Sequence, residues 1–128
     1  MGKFDSLTCY LDKFETDEIG KWTYGDKNSF PFPAYTELIH EFIKDVHDFC
    51  ENNPEYDLWH YRDKMKIYGL KSDKSADISS LDVEAVLTLI MWVVRGERFC
   101  DGLILSSIKD GRMQAMLRRL KELDDSED

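Results

Sequence analysis

The segment formed by residues 81–94 constrains the fold of this chain more than any other, because it is apolar on nearly every side. Its most apolar part, residues 85–94, is about half as long as a helix that crosses a membrane, and it contains Thr88. A helix that is apolar all round must be covered by its neighbours. We therefore expect a central buried helix and no association with a membrane.

Apolar residues also recur at helical spacing before this segment. An N-terminal helix is expected over residues 4–15. A longer helix is expected to begin at Pro33, since proline is tolerated in a first turn, and to continue to Cys50. A third helix is expected over residues 55–68, with Gly69 as its end.

Residues typical of helix ends flank the central segment. Ser79 and Asp82 have the spacing of a capping box before it. Gly96 is expected to end the central helix, and Asp101 is expected to cap the next one. Two shorter apolar stripes follow, separated by an Asp-Gly pair at residues 110–111, and each predicts a helix.

These expectations define the fold class as all-α or nearly so. A chain of 128 residues suits one domain. We expect a single compact bundle of five to six helices over residues 1–123, with a short β-hairpin near residues 20–30 as the one departure. Residues 124–128 are almost entirely acidic and are expected to form a disordered tail.

Cysteine and histidine usage bears on compartment and on metal binding. The cysteines are Cys9, Cys50 and Cys100, and the histidines are His40, His47 and His60. An odd number of widely spaced cysteines argues against a disulfide framework and favours a reducing compartment. The histidines lack the spacing of a chelating pair. We expect a cytoplasmic protein, also because no apolar leader follows Met1, and neither a metal ion nor another cofactor.

The net charge of −9 is unevenly distributed. Residues 1–94 carry ten basic and eighteen acidic side chains, whereas residues 95–121 carry seven basic and three acidic ones. The overall sign disfavours nucleic acids and anionic membranes as partners. The basic C-terminal helices superficially resemble a helix-turn-helix, but acidic residues follow them directly, so DNA binding is the third of our hypotheses.

The eight residues after the apolar segment are the best candidates for a site. Arg95 and Arg98 are suited to bidentate recognition of a carboxylate or phosphate, which the N–H groups of a helix start also attract. Glu97 and Asp101 are candidates for a general base. Cys100 is a candidate nucleophile, provided that its surroundings stabilise the thiolate. The candidate ligand-binding residues are Arg95, Glu97, Arg98, Cys100, Asp101 and Gly102.

The same residues also have a structural interpretation, which stands beside the functional one. On this interpretation Gly96 and Asp101 only end and begin helices, and Phe99 packs into the protein. Glu97 and Arg98 then pair with charges nearby. Every residue of the segment would serve folding, and no ligand would be needed.

Aromatic residues cluster in two places. Trp59-His60-Tyr61-Arg62 places two rings beside a histidine and an arginine, and Trp22 and Tyr35 belong to a second concentration. Such clusters line small-molecule pockets or form the core of a small domain. Both interpretations are open from the sequence.

The stretch R-G-E-R-F-C-D-G at residues 95–102, together with L-R-R-L at 117–120, resembles the signature of an uncharacterised bacterial family, a domain of unknown function. The blocks G-K-W at 20–22 and F-P-F-P-A-Y at 30–35 resemble another part of that signature. The resemblance covers roughly residues 19–123. It implies a small, helical, cytoplasmic bacterial protein and brings no activity, substrate or cofactor with it.

The leading functional hypothesis is a binding or interaction module of unknown partner, with a homodimer as one arrangement that the bipolar charge allows. The alternative is a protein or enzyme that binds a small anion, a phosphate or carboxylate, through residues 95–101. No nucleotide-binding glycine loop, nucleophilic serine elbow or spaced Cys/His cluster occurs in the sequence. Whether the chain is an enzyme is therefore left open.

Overall fold

Helices dominate the computed structural model, which describes residues 3–23, 32–74 and 76–126. The predicted fold class is confirmed, since 69% of the described residues are helical and the strands among them form one small antiparallel hairpin. The helices are α1 (Asp5–Thr8), α2 (Tyr10–Thr16), α3 (Glu37–Asn52), α4 (Tyr61–Ile67), α5 (Val83–Gly96), α6 (Leu103–Lys109) and α7 (Arg112–Ser126). Three single 3₁₀ turns lie at Pro54–Tyr56, Leu58–His60 and Ile78–Ser80.

Helix α5 is the predicted central helix. Nine of its residues are buried, and it packs against α3, α4, α6 and α7. Burial of a large aliphatic side chain stabilises a fold by roughly 1.5–3 kcal/mol, so this helix supplies much of the driving force for the bundle. Among the described residues, no helix combines the length and the apolar character that crossing a membrane requires.

The hairpin pairs strand β1 (Gly20–Thr23) with strand β2 (Phe32–Tyr35) in antiparallel register. Pro33 lies opposite Trp22 in this hairpin, so the prediction that Pro33 opens a helix is wrong. The pairing continues to the N–H of Thr36, which donates to Ile19, and α3 can begin only after it. Residues 24–31, on which part of the predicted hairpin falls, lie outside the described residues.

The helix expected over residues 55–68 is shorter than predicted. Asp57 adopts a left-handed conformation with φ of 51°, and this residue separates two 3₁₀ turns that precede α4. The predicted end at Gly69 is confirmed, because Gly69 has φ of 70° and the N–H of Leu70 donates to Met65. The shortened helix leaves residues 58–60 as a separate turn beside α5.

The predicted capping box is wrong in its detail. Asp82, and not Ser79, is the N-cap of α5, and its carboxylate accepts a hydrogen bond of 2.9 Å from the N–H of Ala85. Ser79 belongs to the preceding 3₁₀ turn, where its hydroxyl donates to Asp77 at 2.8 Å. The aspartate has the same capping chemistry as serine and lies closer to the helix.

The C-terminal segment is more ordered than expected. Helix α7 continues to Ser126, whereas we expected a disordered tail from residue 124. The carboxylate of Asp124 accepts hydrogen bonds from the backbone N–H groups of Lys3 and Phe4, at 3.2 and 3.3 Å. This contact joins the last helix to the start of the chain, and residues 127–128 of the expected tail lie outside the described residues.

A buried ion pair fixes the corner between α6 and α7. The Asp73 side chain, only 1% exposed, accepts a hydrogen bond of 2.7 Å from Nε of Arg112 and one of 2.9 Å from Ser107. The same guanidinium also contacts Asp110 and donates to Ser106. Arg112 is thus enclosed by acceptors, as a buried cation requires.

Candidate functional site

The chain leaves α5 without an immediate break. Gly96 is still helical, and the N–H groups of Phe99 and Cys100 both donate to its carbonyl oxygen at 2.9 Å. The direction changes only at Gly102, whose φ is 87°. Helix α5 ends at Gly96 as expected, but the left-handed conformation that often follows a helix falls on Gly102. Position 96 favours glycine for a steric reason, because a Cβ there would lie 2.6 Å from the side chain of Leu103.

Glu97 caps helix α6 from outside that helix. Its two carboxylate oxygens accept hydrogen bonds from the N–H groups of Gly102 at 2.6 Å and Ile104 at 2.9 Å. A negative charge at this position also complements the helix dipole. The expected cap, Asp101, is exposed and makes no side-chain hydrogen bond to the helix start, so that prediction is wrong. The N–H groups that would have attracted an external anion are occupied by the protein itself.

Tyr35 completes this cap from the hairpin. Its hydroxyl donates to Glu97 at 2.6 Å and accepts from the N–H of Leu105 at 3.1 Å. Burial, and then the hydrogen bond to Glu97, raise the pKa of Tyr35, so the phenol stays protonated and donates. Trp22 of the hairpin lies against Gly102, where a Cβ would come within 2.2 Å of the indole ring. The two sequence blocks of the expected signature thus meet in space.

Arg95 extends from the last turn of α5 over the ring of Trp59, with its guanidinium carbon 5.3 Å from the ring centroid. Trp59 is 43% exposed, and its other neighbour is His47, at 5.5 Å between ring centroids. Burial, and then the charge of Arg95, lower the pKa of His47. Burial and the charge of Arg95 therefore both favour the neutral form of the His47 imidazole beside Trp59.

Arg62 and Phe99 form a second stack of the same kind. The guanidinium carbon of Arg62 lies 5.0 Å from the centroid of the Phe99 ring, which is 73% exposed. The expectation that Phe99 packs into the protein is therefore wrong. The turn after α5 directs this ring outward, and its one cationic neighbour covers it only in part.

The two stacks border a cleft of about 350 Å³, which we call the arginine cleft. Its lining residues are Trp59, His60, Tyr61, Arg62, Asp63, Arg95 and Phe99. Among the described residues, no carboxylate lies within 4.0 Å of the guanidinium of Arg62 or Arg95. Both guanidinium groups therefore line the cleft beside aromatic rings, with no carboxylate partner among the described residues.

A second hollow of about 340 Å³ adjoins the cleft and is mostly apolar; we call it the apolar hollow. Its lining residues are Tyr61, Arg62, Trp92, Gly96, Phe99, Cys100 and Leu103. Three of these also line the arginine cleft, so the Arg62–Phe99 stack forms a ridge between the two. Together the two hollows form one continuous surface between α4 and the end of α5.

The predicted site residues are thus dispersed. Arg95 borders the arginine cleft, Cys100 borders the apolar hollow, and Glu97 and Gly102 are used inside the fold. Arg98 and Asp101 are exposed and line neither hollow. A common ligand for all six residues has no single place to bind here, and ligand binding by any of them stays a prediction.

Phe99 was not predicted as a site residue, and Arg62 was predicted only as a member of the aromatic cluster at residues 59–62, whose interpretation as a pocket lining agrees with the arginine cleft. From the sequence we paired Arg95 with Arg98, which is near in the chain. In the structure Arg62, 33 positions away, lines the same cleft as Arg95. Only the packing of α4 against α5 brings the two cations together.

The other sequence motifs occupy structural positions. Among the described residues, no group of three His, Cys, Asp or Glu side chains is placed to hold a metal ion. In the basic C-terminal helices, Arg119 donates to the carbonyl of Leu81 at 2.9 Å, and Arg118 lies 3.6 Å from Glu15. With Arg112 also paired, much of that basic face is engaged within the chain.

Fold and surface together define a small helical domain with a hairpin and an open aromatic–cationic groove. The chain belongs to the DUF6508 family, a family of unknown function, whose model covers residues 2–126. The predicted membership of an uncharacterised family is thereby confirmed. No curated protein and no solved structure matches the chain.

Proposed function

We propose that this protein is an interaction module, which docks a partner protein on the arginine cleft and the apolar hollow. The observation that carries the proposal is the pair of arginine–aromatic stacks, Arg95 on Trp59 and Arg62 on Phe99, side by side on an exposed surface. Tryptophan and arginine are enriched among the residues that contribute most to interface affinity. Covering the Phe99 ring would also remove a large apolar area from water.

The shape of the surface supports a macromolecular partner over an enclosed small molecule. Sites for small molecules bury most of the ligand, whereas Trp59 and Phe99 leave the walls of this surface open to solvent. The chemistry supports binding over catalysis. Of the two predicted general bases, Glu97 has both carboxylate oxygens engaged by backbone N–H groups, and Asp101 lines neither hollow.

We propose a cytoplasmic location for this module. The cysteines at positions 9, 50 and 100 are all free, which suits a reducing compartment. Such a location would also supply intracellular proteins as partners.

The proposal is tested by site-specific crosslinking of the full chain in its native cells. A photo-reactive phenylalanine analogue replaces either Phe99, on the ridge, or Ile67, which is 78% exposed on the last turn of α4 and lines neither hollow. A docking module gives a discrete crosslinked product from position 99 and none from position 67. Both positions carry exposed apolar side chains, so crosslinks from nonspecific hydrophobic contacts should arise equally at both.

The second arm of the test is loss of that product on Arg62→Gln, with Arg98→Gln as the matched control. Both substitutions remove one exposed positive charge, but only Arg62 borders the two hollows. Equal products from positions 99 and 67, or a product that survives Arg62→Gln, would contradict the proposed function. Circular dichroism of each variant verifies that the fold is intact.

A further inference from the structure

The two hollows differ in chemistry, and the difference identifies what they can bind. Building on the proposed function, we infer that the docked segment is a peptide with a carboxylate for the arginine cleft and a large apolar side chain for the apolar hollow. The carboxylate and the apolar side chain lie close together in the partner's sequence. This pair of side chains, which we call the motif, defines the partner by its chemistry alone.

The carboxylate is required by the state of the two arginines. The guanidinium carbon of Arg95 lies 5.3 Å from the ring centroid of Trp59, and that of Arg62 lies 5.0 Å from the ring centroid of Phe99. Neither group has a carboxylate of the described residues within 4.0 Å. Stacking occupies the face of a guanidinium and leaves its N–H edge available. A planar carboxylate matches such an edge with two parallel hydrogen bonds.

A single negative charge suits the cleft better than a double one. Asp63 lines the same cleft, and the whole chain carries a net charge of −9. The cost of taking an anion out of water grows faster than its charge, whereas its attraction to the two guanidinium groups grows only in proportion to that charge. A carboxylate is therefore favoured over a phosphate dianion, and a short acidic segment is favoured over a nucleic acid, whose charge is continuous.

The apolar side chain is required by the second hollow. Tyr61, Trp92 and Leu103 surround it, and Gly96 contributes only backbone to its wall. Its volume of about 340 Å³ accommodates a leucine or phenylalanine side chain. Transfer of such a side chain out of water raises affinity by roughly tenfold or more.

The ridge sets the spacing of the motif. The hollows share Arg62 and Phe99, so their occupants are separated by about one stacked pair of side chains. In an extended peptide, residues i and i+2 point to the same side and lie about 7 Å apart. An acidic and an apolar residue within a few positions of each other therefore reach both hollows without a long loop.

The test uses fluorescent peptides of about ten residues in a Gly/Ser background, each with one Glu and one Leu, placed from adjacent to four positions apart. Affinity is measured by anisotropy at low and physiological salt. Three variants of the peptide that binds most tightly replace Glu by Gln, Glu by phosphoserine, or Leu by Ser. We expect the Gln and Ser peptides to bind roughly tenfold more weakly than the parent, and the phosphoserine peptide to bind no better than it.

Matched protein variants assign each half of the peptide to its hollow. On Arg62→Gln, the Glu and Gln peptides should bind almost equally, while the preference for Leu over Ser persists. On Arg98→Gln, the wild-type preference for Glu should be unchanged. Phe99→Ser should weaken all the peptides, and Ile67→Ser none of them.

Three outcomes overturn the inference. They are equal binding of the Glu and Gln peptides to the wild type, tighter binding of the phosphoserine peptide, and sedimentation showing a dimer that Phe99→Ser dissociates. The third outcome would make a second copy of this chain the occupant. If no peptide binds but Arg62→Gln still abolishes the crosslinked product in cells, the motif is wrong and the interaction module stands. If the crosslinked product persists in the Arg62→Gln variant, the proposed function as an interaction module is wrong.

Discussion

Arg112 and Arg62 show two opposite ways in which this small protein accommodates a guanidinium. Arg112 is 14% exposed and is surrounded by the carboxylates of Asp73 and Asp110. Arg62 lies on the face of Phe99 at the surface, with no carboxylate of the described residues in contact range. The first guanidinium is paired with carboxylates inside the fold, whereas the second leaves the strongest hydrogen-bonding groups of the side chain to water.

The same contrast separates the two acidic residues of the predicted site. Glu97 is enclosed by N–H donors and by Tyr35, and Asp101 is exposed. Glu97 and Arg112 are therefore paired within the fold, whereas Arg62 and Arg95 line the arginine cleft without a carboxylate partner among the described residues. Under the proposed function, these two unpaired cations are the groups that a partner would engage.

The largest predicted effect concerns the buried pair. Arg112→Gln should lower the free energy of unfolding by about 3 kcal/mol, because it leaves the Asp73 carboxylate buried without its cation. Arg62→Gln should change the free energy of unfolding by less than about 0.5 kcal/mol. Urea denaturation of the two variants measures the difference. Equal losses of unfolding free energy in the two variants would contradict the view that Arg112 is paired within the fold and Arg62 is not.

The next effect concerns the helix cap. Glu97→Gln should lower the free energy of unfolding by about 2 kcal/mol, because the charged acceptor of two N–H groups is lost. Asp101→Asn, in the same turn, should lower it by less than about 0.5 kcal/mol. A larger loss for Asp101→Asn than for Glu97→Gln would restore Asp101 as the cap of α6.

A pair of glycines isolates the contact between the hairpin and the turn. Gly102 and Gly111 both have positive φ, of 87° and 82°, but only at Gly102 would a Cβ meet a neighbour, the ring of Trp22. Gly111→Ala should cost about 1 kcal/mol in unfolding free energy, and Gly102→Ala about 1–2 kcal/mol more. Urea denaturation measures both, and a shift in tryptophan emission for Gly102→Ala alone would locate the strain at Trp22.

The smallest effect is a titration. The pKa of His47 is lowered by burial and by the charge of Arg95, so the neutral form stabilises the native state. This contribution is complete above pH 6.5 and is lost as the pH falls through the lowered native pKa. In an NMR titration, Arg95→Gln should raise the pKa of His47, and Arg62→Gln should leave it unchanged. An unchanged pKa in Arg95→Gln would mean that this guanidinium does not face His47.

The helices could be predicted where the same pattern of apolar residues continues over several turns. The continuous apolar character of α5 and the long apolar stripe of α3 each specify a helix over several turns. Helix starts and ends were less predictable, because several residues satisfy the same local rule. Pro33 suits a first helical turn as well as a strand, and the competing hairpin pairing decided between them.

The site could be predicted only in part for a related reason. A run of charges such as residues 95–102 shows that something is unusual, but not which charges are paired. Glu97 finds its partners in Tyr35 and α6, and Arg62 approaches Phe99 from a different helix. These are long-range contacts, and nothing in the local sequence distinguishes Glu97 from Asp101.

The packing of Trp22 on Gly102 also determines how freely this turn can vary. In a library randomised over residues 95–102 and selected only for folding, the positions of Gly96, Glu97 and Gly102 should accept few alternatives. The exposed positions 98 and 101 should accept many. Subsequent selection for binding should then narrow the choice at 95 and 99. Positions restricted by the first selection are those needed for folding, and positions restricted only by the second are those needed for recognition.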